Sequence, residues 1–156
     1  MLLWIIRHGK ARADSPSGTD YDRALKPRGE RQAAYLGAEF ASRDDAPARL
    51  LASPLVRAQQ TALGIAEVTG QEVETHGALE SGRGPAGILA LAEEIAGGTS
   101  AALIGHNPEL SQVVAALAGP GTVESDWLRT GQAVGIDWDP AAAAGFVVDV
   151  LRMDDE

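Results

Sequence analysis

The 156-residue sequence has no cysteine, few aromatic side chains and only 13 lysines and arginines against 22 aspartates and glutamates. Without cysteine, a disulfide framework and a thiolate metal site are both excluded. The net charge of -9 argues against non-specific binding to nucleic acid. The apolar run at the start meets Arg7 after six residues, which is too short for a signal-sequence core or a membrane span. We therefore expect a cytoplasmic protein that binds neither nucleic acid nor membranes.

The apolar residues follow patterns that predict strands and helices in alternation. Strands are predicted over residues 2–6, 49–53, 72–75 and 100–105, and two more in AVGIDWD and GFVVDVLRM, which the short segment PAAAA connects. Helices are predicted over residues 28–43, 54–69, 86–96 and 108–118. This alternation predicts a three-layer α/β/α fold in one domain over residues 1–156, with a mostly parallel sheet, helices on both faces and a C-terminal β-hairpin.

Three of the predicted strands end in similar polar segments, IIRHG, LLASPLVR and LIGHNPEL. In the second and third, a polar residue stands before a proline and a helical pattern. Ser53 and Asn107 are therefore predicted to cap helices that begin at Pro54 and Pro108. In parallel sheets, ligands bind outside the carboxyl ends of the strands, so these segments mark the expected site.

Positively charged and titratable side chains gather at these strand ends. Arg7 and His8 leave the first strand, Arg57 falls in the first turn of a predicted helix, and His106 precedes another helix. The N-terminus of a helix attracts anions, and the planar guanidinium of arginine binds phosphoryl oxygens in pairs. In a chain of net charge -9, such a cluster predicts a phosphate-binding site.

The motifs RHG, SPLVRAQQTA and GHNP, in this order, resemble those of the histidine phosphatase superfamily, which has the phosphoglycerate mutase-like fold. The segment RALKPRGERQA resembles the stretch that this family carries before its first helix. The short length and LIGHNPEL make the likeness greatest to the bacterial phosphohistidine phosphatases of the SixA type. The resemblance implies that His8 is a nucleophile that becomes transiently phosphorylated. It implies that Arg7, Arg57 and His106 hold the phosphoryl group, and that neither a metal nor another cofactor takes part.

The resemblance also bears on proton donation and on the substrate. Many relatives carry an acidic residue after the third strand as general acid, and Glu80 is the nearest candidate here. Asn107 is a candidate substrate-binding residue, and Arg23 is expected to approach the site from its loop. Neighbouring arginines should lower the pKa of His8 and favour its nucleophilic neutral form.

Phosphohistidine in a phosphorylated protein is the favoured substrate, because a protonated imidazole leaves more readily than an alkoxide. Two alternatives stay open. One is a phosphomonoesterase of the same superfamily that acts on a small phosphate ester. The other is a non-catalytic module that binds phosphate or phosphorylated proteins.

Overall fold

The chain alternates strands and helices in a computed structural model that describes residues 1–121 and 127–154. The strands are β1 (Leu2–Arg7), β2 (Arg49–Ala52), β3 (Val73–Thr75), β4 (Ala101–Gly105), β5 (Ala133–Asp139) and β6 (Ala144–Leu151). The helices are α1 (Pro27–Ala41), α2 (Val56–Thr69), α3 (Ala86–Ile95) and α4 (Glu109–Ala118), and a single 3₁₀ turn covers Gly77–Leu79. Among the helices of the described ranges, none combines the length and the apolar character that crossing a bilayer requires.

The described strands form one sheet in the order β3-β2-β4-β1-β5-β6. The strands β3, β2, β4 and β1 run parallel, whereas β5 is antiparallel to β1 and pairs with β6 in the predicted C-terminal hairpin. Arg7 lies opposite Gly105, and Ala52 lies opposite Ile104. The carboxyl ends of β1, β2 and β4 therefore meet at one edge of the sheet, as the sequence predicts.

Strand β1 is buried on both faces, which explains its unbroken run of apolar residues. Trp4 and Ile6 pack on one face with residues from α1 and α2, while Leu3 and Ile5 pack on the other face with residues from α3 and α4. Each fully buried aliphatic side chain contributes about 1.5–3 kcal/mol to folding. The two cores confirm the predicted three-layer arrangement and hold β1 rigidly up to the point where Arg7 and His8 emerge.

The predicted start of the second helix is wrong by two residues. Helix α2 begins at Val56, and Leu55, not Ser53, takes the capping position. The Ser53 oxygen accepts the Leu55 N–H at 3.2 Å, so this bond closes the turn before the helix, and the same hydroxyl lies 2.7 Å from His106 Nε2. Pro54 therefore lies in a bend between β2 and the helix rather than inside the first turn.

The predicted start of the fourth helix is wrong by one residue. Helix α4 begins at Glu109 after Pro108. The Asn107 amide oxygen nevertheless accepts the Ser111 N–H at 3.3 Å and the Ser111 hydroxyl at 2.7 Å, so it caps the first turn from one position further back. Its amide nitrogen donates to the Leu128 carbonyl at 2.8 Å. These bonds tie α4 to the segment that enters β5.

Candidate active site

A cavity of about 210 Å³ opens where β1, β2 and β4 end. Its charged and titratable lining residues are Arg7, His8, Lys10, Arg23, Arg57 and His106. The other described lining residues are Ala11, Ser81, Asn107 and Thr130. Cationic and neutral polar groups thus line the cavity, as expected for an anion site. Elsewhere too within the described ranges, no group of three or more His, Cys, Asp and Glu side chains is arranged to hold a metal ion.

Two hydrogen bonds fix the proton of His8. Its Nδ1 lies 2.7 Å from the Gly9 carbonyl oxygen, which only accepts, so Nδ1 carries the hydrogen. On the other side of the ring, the Arg57 Nε–H donates to His8 Nε2 at 3.3 Å, which requires a lone pair on Nε2. Neutral His8 therefore has its lone pair on Nε2, where it accepts the hydrogen bond from Arg57.

The environment of His8 keeps the ring neutral. The pKa of His8 is lowered to about 3, mainly by burial and in addition by the neighbouring His106, Arg57 and Arg7, while the hydrogen bond to the Gly9 carbonyl opposes the shift. The expected direction of the shift is confirmed, but burial outweighs the arginines as its cause. At neutral pH His8 is therefore unprotonated and able to attack as a nucleophile.

Arg57 is 4% exposed and is held on two sides. Besides its bond to His8, it donates from Nη1 to the Asp20 backbone carbonyl at 2.9 Å and from Nη2 to the Asp20 carboxylate at 3.0 Å. Arg23 donates from Nε to the same carboxylate at 2.8 Å. Burial raises the pKa of Asp20, but the bonds from Arg23 and Arg57 outweigh it and lower the pKa overall, so Asp20 is ionised. Asp20 thereby orients the guanidinium of Arg57 at the cavity.

Arg7 approaches the cavity from the end of β1. Its Nη1 donates to the Leu128 carbonyl at 2.9 Å, while its Nε is buried without a hydrogen-bond partner among the described residues. Burial, and next the charge of Arg57, lower the pKa of Arg7 below its ordinary range. A buried N–H of a cation without an acceptor is costly, and an oxyanion in the cavity would supply one.

His106 faces His8 across the site, with 5.2 Å between the ring centroids. Its Nε2 is hydrogen-bonded to the Ser53 hydroxyl, and its Nδ1 is buried without a partner among the described residues. The pKa of His106 is lowered to about 4, mainly by burial and next by the charge of Arg57, while the charge of Glu109 opposes the shift. Both rings of the pair are therefore neutral at pH 7.

The backbone of the RHG turn is clamped against two helices. The Gly9 N–H donates to the Thr61 hydroxyl of α2 at 3.0 Å. A side chain on Gly9 would place its Cβ 2.7 Å from the Gly29 carbonyl oxygen of α1, and a Cβ on Gly29 would collide with the Lys10 carbonyl oxygen. Only two glycines allow this approach, which gives the segment KPRGER a physical role beside the nucleophile.

Glu80 does not line the cavity, although its neighbour Ser81 does. The Glu80 carboxylate pairs with Arg83, whose Nη2 lies 3.0 Å away. The loop that follows is held by Glu109, which accepts the N–H groups of Gly82 at 2.7 Å and Gly84 at 3.4 Å. Of the residues predicted for the site, the structure thus brings one group to the cavity and leaves Glu80 outside. That group is Arg7, His8, Arg23, Arg57, His106 and Asn107.

Sequence reasoning missed the groups that hold the main side chains in place. Ser53 and Thr61 lie within SPLVRAQQTA, so the motif contained a signal for both. Glu109 follows GHNP directly and could have been noticed in the same way. Asp20 gave no signal, because an aspartate in a polar loop is ordinary and its partner Arg57 is 37 residues away.

The family model for the histidine phosphatase superfamily (branch 1) matches residues 3–81. No curated protein matches the sequence.

Several solved structures match the fold. The SixA protein of Agrobacterium tumefaciens superposes with a TM-score of 0.83 at 22% identity, over 96% of this chain and 97% of its own. The protein histidine phosphatase SixA in complex with tungstate gives 0.78 at 24% identity, over 97% of both chains. A mycobacterial glucosyl-3-phosphoglycerate phosphatase in complex with VO3 gives 0.69 at 18%, over 95% of this chain and 97% of its own. At these identities the likenesses show the phosphoglycerate mutase-like fold, and the family model, which covers half of the chain, shows that this protein belongs to the histidine phosphatase superfamily.

Proposed function

We propose that this protein is a metal-independent phosphatase that works through a phosphohistidine on His8 and dephosphorylates phosphohistidine in other proteins. Membership of the superfamily supports phosphatase activity. The observation that carries the proposal is the cavity itself. Among its described lining residues are two neutral histidines and several cations but no carboxylate.

The first step transfers the phosphoryl group to His8. The Arg57 Nε–H gives up its hydrogen bond to His8 Nε2 and turns to a phosphoryl oxygen. The released lone pair on Nε2 forms a bond to phosphorus while the bond from phosphorus to the substrate nitrogen breaks, and the electron pair of that bond stays with the departing imidazole. Arg7 and Arg57 bind the equatorial oxygens and stabilise the charge that they carry in the transition state. In the second step, a water oxygen bonds to phosphorus as the bond from phosphorus to His8 breaks; the electron pair of that bond returns to Nε2, and the two water protons leave on the released phosphate.

The lining favours phosphohistidine because of the leaving group. An alkoxide needs a proton from a general acid, and the described lining offers no carboxyl group for that task. When phosphohistidine is protonated on its other ring nitrogen, its imidazole leaves in neutral form and needs no such donor. The segment between β3 and α3, residues 76–85, is short and carries only a 3₁₀ turn, which suits a site that admits a side chain of another protein.

A small-molecule phosphomonoesterase is the second candidate. The fold shared with the mycobacterial glucosyl-3-phosphoglycerate phosphatase favours it. For either substrate, we predict that residues 1–156 act as one domain and that the protein is cytoplasmic.

The test follows phosphate release from two substrates in the presence of EDTA. One substrate is a phosphocarrier protein that bears phosphohistidine, and the other is para-nitrophenyl phosphate. The wild type is compared with His8→Ala and with the control His76→Ala, which removes the histidine outside the cavity. We expect fast release from the phosphoprotein by the wild type and by His76→Ala, slow turnover of the aryl phosphate, and no release by His8→Ala.

Each other outcome points to a different function. Preference for para-nitrophenyl phosphate would favour the small-molecule phosphatase. Binding of the phosphoprotein without release would favour the non-catalytic module. Activity that survives in His8→Ala, or that EDTA abolishes, would contradict the proposed mechanism.

A further inference from the structure

The hydroxyl of Ser53 has a proton that must find an acceptor. Ser53 is fully buried at the end of β2. Its oxygen already accepts the Leu55 N–H at 3.2 Å, and within the described part of the chain the other partner of the hydroxyl is His106 Nε2 at 2.7 Å. A buried hydroxyl that cannot donate loses a hydrogen bond it would make in water, which costs about 1–3 kcal/mol.

The hydrogen-bond partners of the Ser53 hydroxyl decide which ring nitrogen of His106 carries the hydrogen. If Nε2 donated to Ser53, the serine proton would have no acceptor. If Ser53 donates to Nε2, both groups are satisfied and the hydrogen of the neutral ring lies on Nδ1. Nδ1 is the ring nitrogen without a partner among the described residues, and His106 lines the cavity beside His8.

We infer that Ser53 is a positioning residue that holds His106 in the Nδ1–H tautomer, so that this ring offers an N–H donor to an oxygen of the bound phosphoryl group. His8 and His106 are then both protonated on Nδ1, but His8 acts as a nucleophile and His106 as a hydrogen-bond donor. His8 uses its Nε2 lone pair, fixed by Gly9 and Arg57, to attack. The Nε2 lone pair of His106 accepts the hydrogen bond from the Ser53 hydroxyl, and its Nδ1–H donates to the phosphoryl oxygen. The catalytic part of this inference rests on the proposed function, whereas the tautomer itself does not.

The tautomer is measured by ¹⁵N NMR of the imidazole rings near neutral pH, where both rings are neutral. The two-bond couplings from the ring carbon-bound protons distinguish a protonated from an unprotonated nitrogen. Samples are the wild type, Ser53→Ala, and Ser53→Thr, which keeps a hydroxyl. His8 is the internal control, because the hydrogen bonds that fix its tautomer are to Gly9 and Arg57 and not to Ser53. The variant His76→Ala separates the signals of the third histidine.

We expect Nδ1–H for both His8 and His106 in the wild type. In Ser53→Ala, the Nε2–H form of His106 should become populated while His8 stays unchanged, and Ser53→Thr should retain the wild-type signals of His106. An Nε2–H form of His106 in the wild type, or pure Nδ1–H in Ser53→Ala, would overturn the inference. A change at His8 in Ser53→Thr would mean that the extra methyl group disturbs the site, and Ser53→Ala would then decide alone.

The kinetic consequence is measured on whichever substrate the wild type hydrolyses. Misplacing one donor to the phosphoryl oxygens should lower kcat/KM of Ser53→Ala by about 100-fold, with Ser53→Thr recovering most of the rate. Unchanged kinetics in Ser53→Ala would refute the catalytic role. An inactive wild type that still shows Nδ1–H on His106 would count against the proposed function and leave the tautomer standing.

Discussion

The two buried histidines should make the fold sensitive to mild acid. Their pKa values are lowered to about 3 for His8 and about 4 for His106, whereas a histidine in an unfolded chain titrates near about 6.5. Lowered pKa values mean that the unfolded chain binds protons first. The stability that the neutral rings contribute is therefore fully present above the unfolded pKa and is lost as the pH falls towards the folded values.

The magnitude follows from the proton uptake of the unfolded chain. An unfolded histidine is about one quarter protonated at pH 7 and about 97% protonated at pH 5, while the buried rings stay almost entirely neutral. Each ring then costs about 2 kcal/mol of unfolding free energy over this interval, and the pair costs about 4 kcal/mol. This loss of about 4 kcal/mol depends little on the exact folded pKa values as long as they lie well below 5. Burial of the two rings is the main reason that these values are low.

Urea denaturation at pH 7 and at pH 5 measures this loss. The wild type is compared with the double variant His8→Asn, His106→Asn and with His76→Asn, each variant against itself at the two pH values. We expect the wild type and His76→Asn to lose about 4 kcal/mol and the double variant to lose much less. Equal stability of the wild type at both pH values, or the same loss in the double variant, would refute the reasoning.

Two further predictions concern Glu80 and the glycine contact beside the RHG turn. Because the Glu80 carboxylate pairs with Arg83 outside the cavity, Glu80→Gln should leave turnover of phosphohistidine nearly unchanged; a large loss with a shifted pH profile would reinstate it as the general acid. Gly29→Ala should destabilise the fold by about 1–3 kcal/mol or more, since the new Cβ would collide with the Lys10 carbonyl oxygen. In thermal denaturation, the matched helical control Gly87→Ala, whose Cβ meets only an ordinary contact, should not destabilise the protein.

The main frame of the site could be predicted because it depends on strongly patterned segments. Strand β1 is apolar on both faces, so its end is visible in the sequence as the change from Ile6 to Arg7. Parallel strands align their carboxyl ends, and this rule brings His8, Arg57 and His106 to one edge without any coordinates. The prediction succeeds wherever local pattern and topology agree.

The supporting contacts could not be predicted because their partners are far away in sequence. Serine is a residue type that often caps helices, yet the Ser53 hydroxyl is hydrogen-bonded to His106, which lies 53 residues further along the chain. Asp20 is recognisable only once Arg57 is known to reach it. In each case a specific tertiary partner overrides the local preference of the residue.

The place of β1 in the sheet governs when the site can come into being during synthesis. Leu3, made first, pairs with Ala101 on one side and with Ile136 on the other. A nascent chain that ends near residue 81 already contains His8 and Arg57, but it contains neither β4 nor β5, the two strands that flank β1. Contacts so distant in sequence form slowly. His106, which faces His8, and β5, which pairs with β1, are both absent from such a chain, so the site can be completed only after the last part of the chain has been made.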